Sequence, residues 1–564
     1  MAWGPTPLGE NRWRVGLWAP SVRDVRVLVQ GESVRMRSDG DGHWHATIEA
    51  DPGSTYLFEI DGTSFPDPAS RSQAEGVHGP SVLVGDTEEA NDWAGRDWAE
   101  AVVFEMHIGT FTRDGTTRAA TERLDDLAAL GITFVELMPI AQFHGRHGWG
   151  YDGVLPYALH DAYGTRDDLR AFVARAHDLG MGVLLDVVYN HFGPEGAYLH
   201  SYCPEFFRSD RTTPWGAGID FARPEVRSYF LDSAVMWIRS FGFDGLRLDA
   251  VHAIVDESEP HFLVELARRL KVLPLRQPIH LITEDERNVP DLRERGMDAS
   301  WNDDYHHAVH CLTTGEHEGY YASFSVDPMA DLCLALERGH VEEGQDRPGR
   351  ADRRGASCGH LPVQAFVNAN QTHDQIGNRA RGERLISVAG TEAVWVLHGL
   401  LLCAPYVPML FMGEEIGARR PFLFFCDFDG DLASDVRKGR QAEFEAFNAF
   451  TGKVPDPCSR DTFLASRPYD APPEDAEDWR AWTRRLLAFR RERIVPITTS
   501  ARLDARAEPT AERALRAEWT FEGGRIVIEA NIGTPPERPG DWTGADLSYN
   551  SPGDDFALAV WSHS

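Results

Sequence analysis

Eight short apolar runs, separated by amphipathic stretches, restrict the folding of this chain more than any other feature. They fall at 102–106, 134–137, 183–188, 245–248, 279–283, 299–301, 365–367 and 407–411, the sixth being the weakest. Helical periodicity at 121–130, 167–179, 225–241 and 260–270 fills several of the gaps. A buried strand followed by a helix builds a parallel sheet covered by helices, and eight such units close into a (β/α)8 TIM barrel, an α/β fold. Residues at the C-terminal ends of the strands then share one open mouth. Residues 142–163, rich in Gly, Tyr and His, are expected to arch over that mouth. Residues 342–360, rich in Gly, Arg and Asp, are expected to form a mobile surface loop.

At 564 residues the chain exceeds one compact core, so the barrel, with its insertions over 96–475, has neighbours. In 1–95, Val25, Val27 and Val29, then Trp44, Ala46 and Ile48, then Tyr56, Phe58 and Ile60 alternate with other residues. That pattern predicts an N-terminal Ig-like β-sandwich domain. Its aromatics lie on the core-facing phase, which favours a structural role over sugar binding. In 476–564 a helix over 477–492 carries Trp479, Trp482 and Leu486, and strands follow at 515–519, 525–530 and 556–561. A small C-terminal β-sandwich domain is expected there.

The 88 acidic and 56 basic side chains give a formal net charge of -32, which argues against nucleic acid and anionic membrane as partners. A neutral substrate such as a sugar suits that surface. The N-terminal stretch MAWGPTPLGENRWRVG lacks a basic start and apolar core, and no apolar run is long enough to span a bilayer. The seven Cys are scattered without metal-type spacing, so reduced thiols and a cytoplasmic location are expected.

Arg247 and Asp249 in GLRLDAVH, Glu284 in IHLITEDERN and Asp374 in FVNANQTHDQIGNR lie at or just beyond the ends of predicted strands. Cleaving a glycosidic bond takes one charged and one protonated carboxyl, roughly 5 Å apart in a retaining enzyme. Asp249 is the better nucleophile, because Arg247, two residues earlier, points the same way and keeps it ionised. Glu284 is the better acid, since crowding among Asp249, Asp374 and Asp285 raises at least one pKa. Asp374 then holds substrate hydroxyls.

His107, His191, His252 and His373 also follow strands. Together with Asp they pose an alternative, a metal-dependent hydrolase. Arg247 weighs against it, because a cation beside a metal is electrostatically costly. Any one of these His could instead be structural. Trp149, Tyr151, Tyr189, Trp215 and Phe424 are candidate sugar-stacking rings, with Asp152 beside them, although an aromatic in a large barrel is more often core. Trp149 and Tyr151 are the best placed of these.

DVVYNH (186–191), GLRLDAVH (245–252), Glu284 and HDQIGNR (373–379), in that order, resemble the α-amylase family of glycoside hydrolases. VFEMHIGTFT (103–112), VELMPIAQF (135–143), WGYDGVLPYA (149–158), VVYNHFGPEGAYL (187–199), TPWGAGIDF (213–221), EDERN (284–288) and FMGEEIGARRPFLFFCDFDGDL (411–432) extend the resemblance over almost the whole chain. They point toward a trehalose-releasing group within the family. The resemblance implies Asp249 as nucleophile, Glu284 as acid/base and Asp374 as transition-state stabiliser. Arg247, His191, His252 and His373 would be the supporting set. Thr372 stands where the family usually has Asn, which puts a local hydrogen bond in doubt. Calcium-binding α-amylases use an Asn at the position of Asn190, but the resemblance implies no required metal and no cofactor. The nearest competing function is a 1,4-α-glucan branching enzyme, which passes the cleaved chain to a sugar instead of water. Debranching of α-1,6 bonds and binding without catalysis are weaker alternatives.

Overall fold

The computed structural model describes residues 3–86, 92–213, 216–445, 452–533, 542–551 and 555–563. Its centre is a closed barrel of eight parallel strands. These are β1 (Val103–Met106), β2 (Phe134–Leu137), β3 (Gly182–Val187), β4 (Gly245–Leu248), β5 (His280–Thr283), β6 (Ala299–Trp301), β7 (Phe366–Ala369) and β8 (Val407–Phe411). Every residue in them is buried, as expected of a sheet covered on both faces, and this is why the runs read as continuous rather than alternating. Val103, Phe134, Leu184, Ile282, Val367 and Met409 fill the interior with Trp98 and Trp301. At Gly245, where β4 begins, a Cβ would lie 2.1 Å from the His280 carbonyl oxygen, so only glycine lets β4 and β5 approach there.

Register decides what meets at the mouth. Asp186 on β3 pairs with Arg247 on β4, and Leu248 pairs with Thr283 on β5. The ladder runs one step further: Asp249 N–H donates to the Val187 carbonyl (3.1 Å) and Glu284 N–H to that of Leu248 (3.0 Å). Asp249 and Glu284 therefore leave adjacent strands at one level.

Residues 142–163 begin and end in a short hairpin, Ala141–Gln142 against Leu155–Leu159. Helices Arg166–Asp178, Pro224–Phe241 and Phe262–Lys271 lie close to their expected spans. The helix expected over 121–130 is instead two, Thr117–Thr121 and Leu124–Leu130. At the break the Arg123 guanidinium lies 4.8 Å over the Tyr469 ring.

The stretch 342–360 carries no helix or strand and is bonded inward at several points. Asp304 accepts the N–H groups of Val341 and Glu342 (both 2.8 Å) and pairs with Arg354 at 3.3 Å. Arg354 also bonds Glu342, and Arg347 pairs with Asp331 at 2.6 Å. Arg347 and Arg354 are thus spent on buried carboxylates, whereas Arg353 pairs with Asp346 at the surface.

Before the barrel, two antiparallel sheets face each other over Trp13, Val15, Leu17, Val27, Trp44 and Phe58. Their aromatics are buried, in keeping with a structural role. Tyr229 of helix Pro224–Phe241 bonds the Pro68 carbonyl at 2.7 Å, joining this module to the barrel. After the barrel, helix Ala476–Phe489 leads to a five-stranded antiparallel sheet that packs on helix Thr391–Cys403, where Gly399 admits Leu558. All seven Cys are free thiols, and no helix of the described residues is long and apolar enough to cross a membrane.

Candidate active site

Arg247 organises the mouth. Its Nη1 donates to Asp186 (2.8 Å) and Asp249 (2.9 Å), its Nη2 to Glu284 (2.8 Å), and its guanidinium lies 4.0 Å over the Trp301 ring. One buried cation thus holds three carboxyl groups, and burial opposes its charge less than they favour it. Glu284 Oε2 also accepts the Ala250 N–H at 2.9 Å. Ala250 sits at φ +40°, a left-handed conformation that costs an alanine about 1–3 kcal/mol and points its N–H at that carboxylate.

Asp249 has a second donor. Asn190 Nδ2 bonds its backbone carbonyl (2.8 Å) and its carboxylate (2.9 Å). Asn190 Oδ1 faces His191 Nδ1. His191 Nε2 meets the Tyr151 carbonyl at 3.0 Å, and burial lowers the His191 pKa to about 4.

The Glu284 carboxyl is pushed above its usual range by burial and by Asp249, against the pull of Arg247. Asp374 is raised by burial and by Glu284, with His373 opposing. Asp374 stands in the short helix His373–Gly377, where its Oδ1 accepts Asn378 Nδ2 at 2.6 Å. Thr372 takes over as the cap of that helix: its hydroxyl accepts the Asp374 N–H (3.2 Å) and donates to Gln375 (2.6 Å).

His373 packs between Tyr151, stacked at 5.1 Å, and the edge of Trp149 at 5.3 Å. Burial works against its charge, but Glu105 raises its pKa. The Tyr151 hydroxyl donates to Asp186 at 2.6 Å. Trp149 is buried, with Nε1 on the Leu423 carbonyl (3.0 Å) and its ring stacked on Phe422. At Gly377 a Cβ would lie 2.0 Å from that ring, so Trp149 is wedged against the Asp374 helix. His252 follows Asp249 in a short turn, with Nε2 3.6 Å from Glu286. Asp152 is half-buried with its pKa raised to about 6 by burial, and it has no bond to Arg247. Trp215 lies outside the described residues.

One expectation changes. Asp285 is not part of the carboxyl crowd: it turns to Arg287, 2.7 and 2.8 Å away. His107 supports the arch over the mouth by bonding the Gly148 carbonyl at 2.9 Å, and burial drops its pKa to about 3. The acids around Asp249 and Glu284 are instead Glu105, Glu136, Asp186 and Asp303. Burial lifts Asp186 to about 7, and burial with Glu284 and Asp374 lifts Asp303 to about 7. Burial, Glu105 and Asp186 raise Glu136 well above the carboxylate range. Arg440, from helix Gly430–Glu445, adds a cation at the rim by bonding the Gly377 carbonyl at 2.6 Å. Glu105, Glu136 and Asp186 were findable, because an acid inside a buried strand needs a reason. Arg440 left no such signal.

A parallel eight-stranded barrel whose mouth gathers carboxyl groups on one arginine defines a glycoside hydrolase of the α-amylase type, and residues 64–210 match the family Alpha amylase, catalytic domain. The chain is 44% identical over 502 residues to the malto-oligosyltrehalose trehalohydrolase of Deinococcus radiodurans, covering 87% of this chain and 83% of that one. It belongs to the malto-oligosyltrehalose trehalohydrolase family, other members of which are 36–39% identical to it. A crystal structure from Salmonella typhimurium, of a protein provisionally named an alpha amylase, superposes with a TM-score of 0.94 at 41% identity, over 100% of this chain and 99% of that one. A 1,4-alpha-glucan branching enzyme of Dechloromonas aromatica is 34% identical over only 43% of this chain and 45% of its own.

Proposed function

We propose that this protein hydrolyses the α-1,4-glucosidic bond next to the terminal trehalose unit of maltooligosyltrehalose, releasing trehalose and a maltooligosaccharide with retention of configuration. The observation that carries the chemistry is the hold of Arg247 on both Asp249 and Glu284, which leave adjacent strands at one level. Two carboxyls that share one guanidinium suit the close pair of a retaining enzyme, about 5–5.5 Å apart, better than the roughly 6.5–9.5 Å of an inverting one.

In the first step Asp249, its charge supported by Arg247 and Asn190, bonds to C1 of the glucose at the cleavage point. The C1–O4 bond breaks as Glu284, whose pKa is raised by burial and Asp249, passes its proton to O4 of the departing trehalose. In the second step Glu284 takes a proton from water, the water oxygen bonds to C1, and Asp249 leaves as a carboxylate. Asp374 grips sugar hydroxyls and tightens as the ring flattens. His191, His252, His373, Tyr151, Asp152 and Trp215 are assigned to substrate binding, with Trp149 as the wall behind Asp374.

The trehalose-releasing specificity rests on relatives of that name matched over most of their length, whereas the branching enzyme matches less than half. The reaction places the protein after a maltooligosyltrehalose synthase, and its free thiols suit the cytoplasm. Proton NMR of the first turnovers tests the stereochemistry: the α-anomer of the new reducing end appears before mutarotation, and initial β-anomer would overturn the assignment.

A further inference from the structure

Outside the mouth, His78, His144 and Glu195 bring one donor atom each to within 4.8 Å of one another. They come from three separate segments: the end of the N-terminal module, the loop after β2 and the loop after β3. His78 Nε2 lies 3.2 Å from Glu195 Oε1, and the two imidazole rings are 5.3 Å apart. A surface His–Glu ion pair would account for two of the three. It does not account for His144, neither of whose nitrogens has a hydrogen-bond partner among the described residues.

The backbone beneath each donor is held. Gly196, at φ +92°, is pressed against Val77, so the Glu195 loop sits on the His78 segment. Beside His144, the Arg146 N–H bonds Asp427 at 2.6 Å, and the His144 ring stacks on Phe428 at 6.1 Å. The second nitrogen of His78, Nδ1, meets the Tyr198 hydroxyl at 2.6 Å. A metal-binding imidazole is oriented in this way, through the ring nitrogen that does not ligate.

We infer that His78, His144 and Glu195 form a binding site for a divalent zinc-class cation that staples the N-terminal module to the two loops arching over the mouth. Two imidazoles and one carboxylate are a ligand set that zinc accepts at about 2.0–2.2 Å, with a fourth position left to water. Imidazole disfavours the oxygen-preferring calcium and magnesium ions. The stapled loops carry Trp149, Tyr151 and His191, so an ion here restrains the walls of the mouth without entering it.

The test is a calorimetric titration of chelator-stripped protein with zinc chloride, with the thermal midpoint read alongside. The expected result is one zinc per chain and a raised midpoint. His78→Ala and His144→Gln should each lose at least about tenfold in affinity while melting like the parent without metal, since one lost ligand costs at least about 1.4 kcal/mol. His360→Ala and Cys458→Ser, which remove a different imidazole and the most exposed thiol, should bind as the parent does. Calcium should not compete. Absence of saturable binding overturns the inference, as does binding that survives in His78→Ala and His144→Gln or disappears in Cys458→Ser.

Discussion

Glu105, on the first barrel strand, takes both the backbone N–H (3.1 Å) and the ring Nδ1 of His373, at the start of the helix that carries Asp374. The first strand is thereby tied to the helix after the seventh, beneath Asp374. Glu105→Gln removes the largest of the charges that raise the His373 pKa. Because removing one partner of a buried pair costs about 3–5 kcal/mol, urea unfolding should show a loss of that size. The His373 titration followed by NMR should move to lower pH. A stability unchanged within about 0.5 kcal/mol would show that the pair is not an ion pair.

Asp249→Asn and Glu284→Gln should both fold and both fail on maltooligosyltrehalose, but differently. Without Glu284 the missing help is protonation of the leaving oxygen, worth about 10²–10⁴-fold in rate. A substrate whose leaving group needs no proton should recover most of that in Glu284→Gln. It should recover nothing in Asp249→Asn, which lacks the attacking group. Steady-state rates on the two substrates separate these outcomes.

His398 is buried against the Thr483 hydroxyl at 2.9 Å, and burial lowers its pKa to about 3. Below its ordinary value of about 6.5, the unfolded chain binds a proton that the folded protein refuses until about pH 3. The stability tied to this residue is thus complete above pH 6.5 and falls by about 1.4 kcal/mol per pH unit below it. His398→Gln removes that proton uptake. The stability gap between parent and variant should therefore narrow at about 1.4 kcal/mol per unit from pH 6 to pH 4 in urea unfolding.

Arg354→Ala removes the tie of the stretch 342–360 to Asp304 and its internal tie to Glu342. Asp304 keeps the N–H groups of Val341 and Glu342, so a cost of about 1–3 kcal/mol is expected rather than collapse. Limited proteolysis should cut the variant within 342–360 faster than the parent, and equal rates would mean that other contacts hold this segment.

The barrel was legible because its strands are buried on both faces, which leaves apolar runs of distinctive length and spacing. Phe134–Leu137, Gly245–Leu248, Ala299–Trp301 and Val407–Phe411 fall where those runs predict. Arg247 with Asp249 was legible for the same reason, since alternation along a strand puts the two on one side. Asp285 misled because a run of adjacent acids says nothing about which of them turns to a local arginine. The inward bonds of 342–360 were not legible, because their partners Asp304 and Asp331 lie on helices outside the stretch. Glu105 reaches His373 across 268 positions, a contact that barrel closure alone creates.

The most direct test of the account is product analysis of the purified protein with maltopentaosyl-trehalose and, separately, with amylose. It predicts free trehalose and maltopentaose from the first and little change in the second. New α-1,6 branches in amylose with no trehalose from the first substrate would contradict it, leaving the Arg247 carboxyl cluster in place but passing the glycosyl group to sugar instead of water.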